Sequence, residues 1–287
     1  MRADLTLAFI ALLWGTTFVL IKRALADVSP VLYLAIRFSL AAALLALWFH
    51  RRIRLGFGHQ EYWAGLRVGA VLMAGYILQT IGLQTTTPSK SAFLTGIYIV
   101  LVPFVASLVN STRLHGWEVA GVLIAGLGMG LLSMQGETLT IAKGDLLTIG
   151  CAVAFAVHIV LLGRWAPLVG FESLSLLQIA GAAAVAIVAV PLVESPVLHW
   201  SPAVVAAILI GGVLATALAF VLQTWAQQRT SPTRAALIFS LEPVFAWFVS
   251  WFFEGEIFSA RAALGAVLIL GGILVVELKP TPAPAHQ

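Results

Sequence analysis

Charge is what this sequence has least of. Only 10% of its 287 residues are Asp, Glu, Lys or Arg, and 61% are hydrophobic, whereas a soluble domain carries about 25% charged residues. A water-soluble fold is excluded, because so few polar side chains cannot cover its surface. Cysteine is almost absent too. The single Cys151 lies in an apolar block without a partner, so neither a disulfide framework nor a cysteine zinc site can form. No Gly-x-x-x-x-Gly-Lys-Ser/Thr run occurs, nor a His-Glu-x-x-His pair or a Gly-x-Ser-x-Gly elbow, which argues against ATP hydrolysis, zinc-dependent hydrolysis and serine hydrolysis by this chain. No metal or cofactor is expected. The net charge of +4 comes from basic residues scattered at the ends of apolar blocks rather than from an aromatic-basic stripe, so nucleic acid is not an expected partner.

What the chain does have is apolar blocks of the length that crosses a bilayer as a helix, about 20 residues. Charged residues, Pro and Gly divide them into ten spans, approximately 4–25, 30–50, 62–83, 88–110, 117–135, 145–165, 172–193, 202–226, 231–253 and 259–278. The first block is too long for a signal-peptide core and is followed by no cleavage site, so it is read as a spanning helix. Residues 280–287 alternate Pro with small residues and are expected to be a disordered tail. With the N-terminus in the cytoplasm, ten of the sixteen Lys and Arg flank the inner ends, among them Arg51, Arg52, Arg54, Arg113 and Lys279. Five flank the outer ends: Lys22, Arg23, Lys90, Lys143 and Arg261. The positive-inside bias predicts that both termini face the cytoplasm, in a multi-pass protein of the cell inner membrane.

The two halves of the chain match. A shift of 141 residues lays Asp4 over Asp145, Trp14 over Phe155, Arg23 over Arg164 and Arg37 over Gln178. A shift of 144 lays Thr87-Pro88 over Ser231-Pro232, Tyr98 over Glu242 and Gly121 over Gly265. Five spans per half is an odd number, so the second half must enter the membrane upside down. The predicted fold is an all-α polytopic membrane protein of ten transmembrane helices in two inverted five-helix repeats, residues 1–141 and 142–279. Inverted repeats of this kind place a solute site near the membrane midplane.

Several short motifs resemble the EamA-type ten-helix branch of the drug/metabolite transporter superfamily. They are Trp14-Gly15-Thr16-Thr17-Phe18 followed by Lys22, Arg37-Phe38, Ser231-Pro232-Thr233-Arg234-Ala235-Ala236, Leu241-Glu242-Pro243-Val244-Phe245, Gly255-Glu256 and Gly265. Their order and spacing extend from residue 4 to about 278. The resemblance implies solute export, with aromatic amino-acid exporters as the most similar group, and a cavity between the first, third and fourth helices of each repeat. One departure is that the first repeat has Tyr98-Ile99 where the second has Glu242-Pro243, with Pro103 later in the span. The fourth span is therefore expected to bend at a different depth from the ninth.

Polar and aromatic residues inside the spans are the candidate substrate-binding residues. Glu242 lies near the midplane, where an ionised carboxylate costs at least ~2.5 kcal/mol unless paired or hydrated. It either serves transport directly or is held by Arg37 and by amides freed around Pro243. Arg37 lies too deep for easy snorkelling and can fork onto a substrate carboxylate or form a structural ion pair. His158, in register with Thr17, can relay a proton or bind substrate, or simply bond between helices. Gln79, Gln178 and Gln223 can donate to a carboxylate or accept from an ammonium. Trp14, Tyr76, Tyr98 and Trp247 fall within spans, where rings can line a cavity or merely pack. Trp48, Trp63, Trp117, Trp165 and Trp200 sit near span ends as interfacial anchors. Gly65 with Gly69 and Gly126 with Gly130 are spaced for close helix packing.

The functional expectation is a secondary carrier, not an enzyme, exporting small metabolites by alternating access. Neutral or aromatic amino acids suit a wall of rings and amides with little fixed charge. No Asp or Glu lies inside the first or sixth span, which disfavours cation-for-proton exchange. A membrane enzyme acting on a hydrophobic or lipid-linked substrate, and an exporter of drugs or other metabolites, are the alternatives. The expected partners are the lipid bilayer and a small-molecule substrate, and a monomer satisfies the reading.

Overall fold

The computed structural model describes residues 2–86, 88–110, 115–133, 143–254 and 260–278. Thr87, Arg113, Gly255, Glu256, Lys279 and the tail 280–287, all invoked above, lie outside the described residues. The first half contains α1 (Arg2–Ala24), α2 (Pro30–Trp48), α3 (His50–Arg54), α4 (His59–Leu83), α5 (Pro88–Gly96), α6 (Tyr98–Asn110) and α7 (Gly116–Ser133). The second contains α8 (Lys143–Val169), α9 (Phe171–Val193), α10 (Pro202–Leu209), a π-helical segment Ile210–Leu218, α11 (Ala219–Gln227), α12 (Pro232–Phe239), α13 (Leu241–Glu254) and α14 (Ala260–Glu277). Among the described residues, extended pairing is confined to one bridge between Val28 and Leu198.

Eight helical segments are long and apolar enough to cross a membrane, and Gly116–Leu131 and Ala263–Val276 are shorter apolar helices, all among the described residues. Leucines such as Leu108 and Leu192 point out of the bundle almost fully exposed, as a lipid surround permits. The chain is an all-helical polytopic membrane protein. Trp48, Trp63 and Trp200 are exposed near helix ends, the position of interfacial anchors. Helix starts follow local chemistry. Ser201 and Ser231 each precede a proline at the first helical position, and each Ser Oγ accepts from a backbone amide, of Val204 and Arg234 respectively. A proline there forgoes only an amide that has no intrahelical partner.

Three expected spans are not continuous α-helices. The span expected at 88–110 breaks at Ile97, between α5 and α6, and the span at 231–253 breaks at Ser240, between α12 and α13. Under the shift of 144 the two breaks coincide to within one residue, so the expectation of different bend depths is overturned. Proline position does not decide the break. Pro243 sits in the first turn of α13, where its missing N–H costs little, while Pro103 is tolerated inside α6. The third departure is the π-helical segment in the span expected at 202–226. In addition, the span expected at 30–50 ends at Trp48 and turns into the short α3.

Polar contacts sort the helix ends onto two faces. On the first face Lys22 Nζ at the end of α1 donates to the carbonyls of Leu83 (2.6 Å), Gln84 (2.9 Å) and Thr86 (3.0 Å). There the Thr86 hydroxyl donates to Asp145 (2.9 Å) at the start of α8, and Lys90 pairs with Asp145 at 2.8 Å. The α1–α2 connection meets the α9–α10 connection on this face through Ser29 and Val197, and Glu194 caps α2 by accepting from the amides of Val31 and Leu32. The second face holds the start of α1, where Asp4 pairs with Arg234 at 2.9 Å. It also holds Arg52, which donates to Ser173 and pairs with Glu61. Thus α1 begins on the face opposite to the start of α8. The pairs Asp4–Arg234 and Asp145–Lys90 occupy equivalent registers, one on each face.

Glycine sets the closest approaches, though not at all the expected places. A Cβ on Gly69 would stand 2.3 Å from the Gln178 carbonyl oxygen, and one on Gly65 2.3 Å from Leu177 Cβ, so α4 and α9 touch backbone to backbone. On α7 the tight glycines are Gly121 and Gly128, against α14. Gly130 has open space and Gly126 only an ordinary contact, so that expected pair does not make the close packing.

Candidate functional site

Where the two broken helices meet α1, the backbone packs tightly enough to require glycine. A Cβ on Gly15 would lie 2.7 Å from the Glu242 carbonyl oxygen, and one on Gly96 2.7 Å from Met129 Sδ and 3.6 Å from Pro243 Cγ. Tyr98 and Glu242 therefore arrive at the same place, each in the first turn after its break. The Tyr98 hydroxyl donates to Glu242 Oε2 in a long hydrogen bond of 3.5 Å. The helix start also favours a carboxylate, since first-turn amides point toward it.

A cavity opens beside this pair. It is lined from α1 by Trp14, Thr17, Phe18 and Ile21, from α2 by Arg37, and from α4 by Leu72, Tyr76, Gln79, Thr80 and Leu83. Thr95 and Tyr98 complete the first half, and the second half contributes Phe155, His158, Ile159, Phe220, Gln223, Phe239 and Glu242. The walls come from the first, third and fourth spans of each half, as the resemblance implies, with Arg37 of the second span added.

Aromatic rings frame the space. Trp14 stacks at a tilt on Phe220 (5.6 Å) and Phe239 (5.0 Å), and Tyr76 meets Phe155 (5.2 Å) and Phe38 (5.0 Å) edge to face. The Arg37 guanidinium lies over Tyr76 at 5.1 Å and Phe38 at 5.6 Å. Its Nε donates to Thr216 Oγ1 (2.7 Å) and to the Gly211 carbonyl (3.2 Å), and Nη2 donates to the Ala215 carbonyl (3.3 Å). Trp14 Nε1 donates to the same Ala215 carbonyl at 3.0 Å. A π-helical stretch turns carbonyls away from the α-helical pattern, and here Arg37 and Trp14 take them up. Of the two roles open to Arg37, the ion pair with Glu242 is not made among the described residues; its guanidinium instead holds the π segment.

Of the expected substrate-binding residues, Trp14, Arg37, Tyr76, Gln79, Tyr98, His158, Gln223 and Glu242 all line this cavity. Trp247 does not. Five residues beyond Glu242 it points about 140° round the helix from it, and it packs against Phe248 and Ala266 instead. Gln178 stands behind the wall, bonded to His158 and Thr224. Phe220, Phe239 and Thr95 join the lining without a signal of their own in the sequence, although the internal repeat carries one. Trp14 and Phe155, Thr17 and His158, and Phe18 and Ile159 are related by 141 residues. Tyr76 and Phe220, Gln79 and Gln223, Thr95 and Phe239, and Tyr98 and Glu242 are related by 144. Most of the lining thus consists of register-related pairs.

The profile of the EamA-like transporter family matches the chain twice, at residues 1–134 and 142–278. The chain belongs to this family. It is 33% identical over 280 residues to an uncharacterized transporter of Archaeoglobus fulgidus, covering 96% of this chain and 86% of that protein. It is 24% identical over 275 residues to the uncharacterized transporter YoaV of Bacillus subtilis, covering 93% of each. A solved crystal structure superposes with a TM-score of 0.77 at 22% identity, covering 96% of each chain, which supports the fold alone. The EamA family, the repeated membrane-length helices and the transporter relatives together make this chain a membrane transporter.

Proposed function

We propose that this EamA-family chain is a secondary carrier of ten transmembrane helices in two inverted repeats, exporting neutral or aromatic amino acids across the cell inner membrane by alternating access. The observation that carries this reading is the composition of the cavity. Rings and amides dominate its wall, with one guanidinium, Arg37, and one carboxylate, Glu242. Such a wall suits a small zwitterion with an apolar side chain. Phosphorylated solutes would call for several Arg or Lys at the midplane. Inversion is supported by the opposite directions of α1 and α8 and by the coincident breaks in the two halves. Ile21, Thr80 and Leu83 carry the lining toward the first face, the side that the positive-inside reading takes as external, which supports an outward-directed state.

Two experiments test the proposal. Reporter fusions after Arg54 and at the C-terminus should read cytoplasmic, and a fusion at Leu198, beside the exposed Trp200, should read external. A cytoplasmic signal at Leu198 defeats the inverted arrangement. Purified protein in liposomes should show saturable flux of leucine and phenylalanine with mutual competition. That flux should fall on Trp14→Ala or Tyr98→Ala, about tenfold if the loss removes ~1.4 kcal/mol of ring contact, and hardly at all on Trp200→Ala. Transport of sugar phosphates or quaternary amines in place of amino acids overturns the substrate class.

A further inference from the structure

Two hydrogen-bond relays in the second half both start at a backbone carbonyl, and that fixes their direction. The first begins at the Ile159 carbonyl, which can only accept and takes a hydrogen from Gln227 Nε2 at 2.9 Å. Gln227 must then turn Oε1 toward its neighbour, and it accepts there from Gln223 Nε2 at 3.0 Å. Gln223 is left with Oε1 facing away from the relay, buried and without a partner, on a residue that lines the cavity. A buried acceptor left unmade carries a desolvation cost, so the atom is poised for a donor that arrives from elsewhere.

The second relay begins at the Phe220 carbonyl, which receives the Thr224 hydroxyl hydrogen at 2.7 Å. That hydroxyl has no second hydrogen to give and must accept from Gln178 Nε2 at 3.0 Å. Gln178 consequently presents Oε1 to His158 Nε2 at 3.1 Å. A carbonyl oxygen opposite requires the imidazole to carry its hydrogen on Nε2, and in the neutral ring Nδ1 is then an acceptor. His158 also lines the cavity.

The equivalent positions of the first half are occupied differently. Gln79 donates to Thr95 Oγ1, Thr17 donates to the Trp14 carbonyl, and Tyr98 donates to Glu242. The second half thus contributes three acceptors to the cavity wall: Gln223 Oε1, which has no partner, His158 Nδ1, and the Glu242 carboxylate, which accepts from Tyr98 through Oε2. We infer that His158, Gln223 and Glu242 form a receptor for a primary ammonium group, which supplies three N–H donors and one positive charge to three acceptors. A quaternary ammonium brings the charge without the donors, and a carboxylate or phosphate brings only acceptors. The inference rests on the proposed reading of this cavity as the substrate site, and it makes the number of N–H groups the feature that decides specificity.

The test compares ligands that differ only at nitrogen. The full-length protein in liposomes is challenged with leucine, N-methylleucine, N,N,N-trimethylleucine, isoamylamine and 4-methylpentanoate, read as binding and as competition with labelled leucine. Apparent affinity should fall at each step of methylation, by about five- to tenfold per lost hydrogen bond. In Gln223→Met and His158→Phe the affinity for leucine should fall while that for the trimethyl compound stays, so that the gap narrows. Both variants are checked for unchanged thermal unfolding. Binding of the trimethyl compound as tight as that of leucine overturns the receptor even if leucine is transported. Binding of isoamylamine without any binding of leucine upholds the receptor and overturns the amino-acid reading. Competition by 4-methylpentanoate equal to that of leucine overturns the receptor.

Discussion

Glu242→Gln is expected to leave the protein folded and to remove most of its transport. Glutamine keeps an acceptor for the Tyr98 hydroxyl, which bonds Glu242 at 3.5 Å, but it cannot supply the charge of the carboxylate at the midplane. A hydrogen bond to a charged partner contributes about 1.5–3 kcal/mol, which corresponds to roughly a ten- to hundredfold loss of apparent affinity. Glu242→Leu should go further. It leaves the Tyr98 hydroxyl, only 3% exposed at the residue level, without an acceptor, and an orphaned buried polar group costs about 1–3 kcal/mol. Flux in liposomes beside thermal unfolding in detergent separates the two effects. Near-normal transport by both variants would show that the carboxylate at the junction of the broken helices has no part in carrying substrate.

The second large effect is one of packing, and it takes opposite signs at two glycines. Alanine is more favourable than glycine in a helix interior by about 1 kcal/mol, so Gly130→Ala, with open space around it, should raise the unfolding temperature slightly. At Gly69 the added methyl would stand 2.3 Å from the Gln178 carbonyl oxygen and 2.9 Å from the Ala182 amide nitrogen. These are backbone atoms that cannot rotate aside, and overpacking typically costs about 1–3 kcal/mol. Gly69→Ala should therefore lower the unfolding temperature and, because Gln178 orients His158, reduce transport among the molecules that remain folded. Equal shifts at the two sites would mean that α4 and α9 are free to separate.

Much of the fold is legible in the sequence because lipid leaves so few options. A block such as 145–165, mostly apolar and opened by Asp145, can only be a helix when no water is present to satisfy its backbone. The interruptions were less legible. Nothing in Tyr98-Ile99 announces the break before it, and Ile210–Leu218 is as apolar as a regular helix, so its π-helical hydrogen bonding left no trace in composition. Deep polar residues pointed to the cavity because a buried Arg37 or Glu242 is costly without a use. Phe220 and Phe239 are not legible as lining residues because phenylalanine is common in membrane spans, and only the repeat register sets them against Tyr76 and Thr95. Trp247 lies at a similar depth but off the cavity, because depth in the membrane says nothing of direction around the helix.

The register-related pairs leave a remainder. Besides Arg37, whose counterpart Gln178 stands behind the wall, Ile21, Leu72, Thr80 and Leu83 line the cavity, while Leu162, Thr216, Thr224 and Gln227, which stand in their places in the other half, are not part of its lining. If the halves exchange conformations, the passage to the opposite side must run past Leu162, Thr224 and Gln227. Two of those residues, Thr224 and Gln227, also anchor the relays that aim His158 and Gln223. On the proposed reading, the interhelical bonds Gln178–Thr224 and Gln227–Ile159 would both orient the acceptors and close the second face. Opening the second face would therefore loosen the bonds that aim His158 and Gln223, and cargo would be held less tightly on that side than in the present conformation.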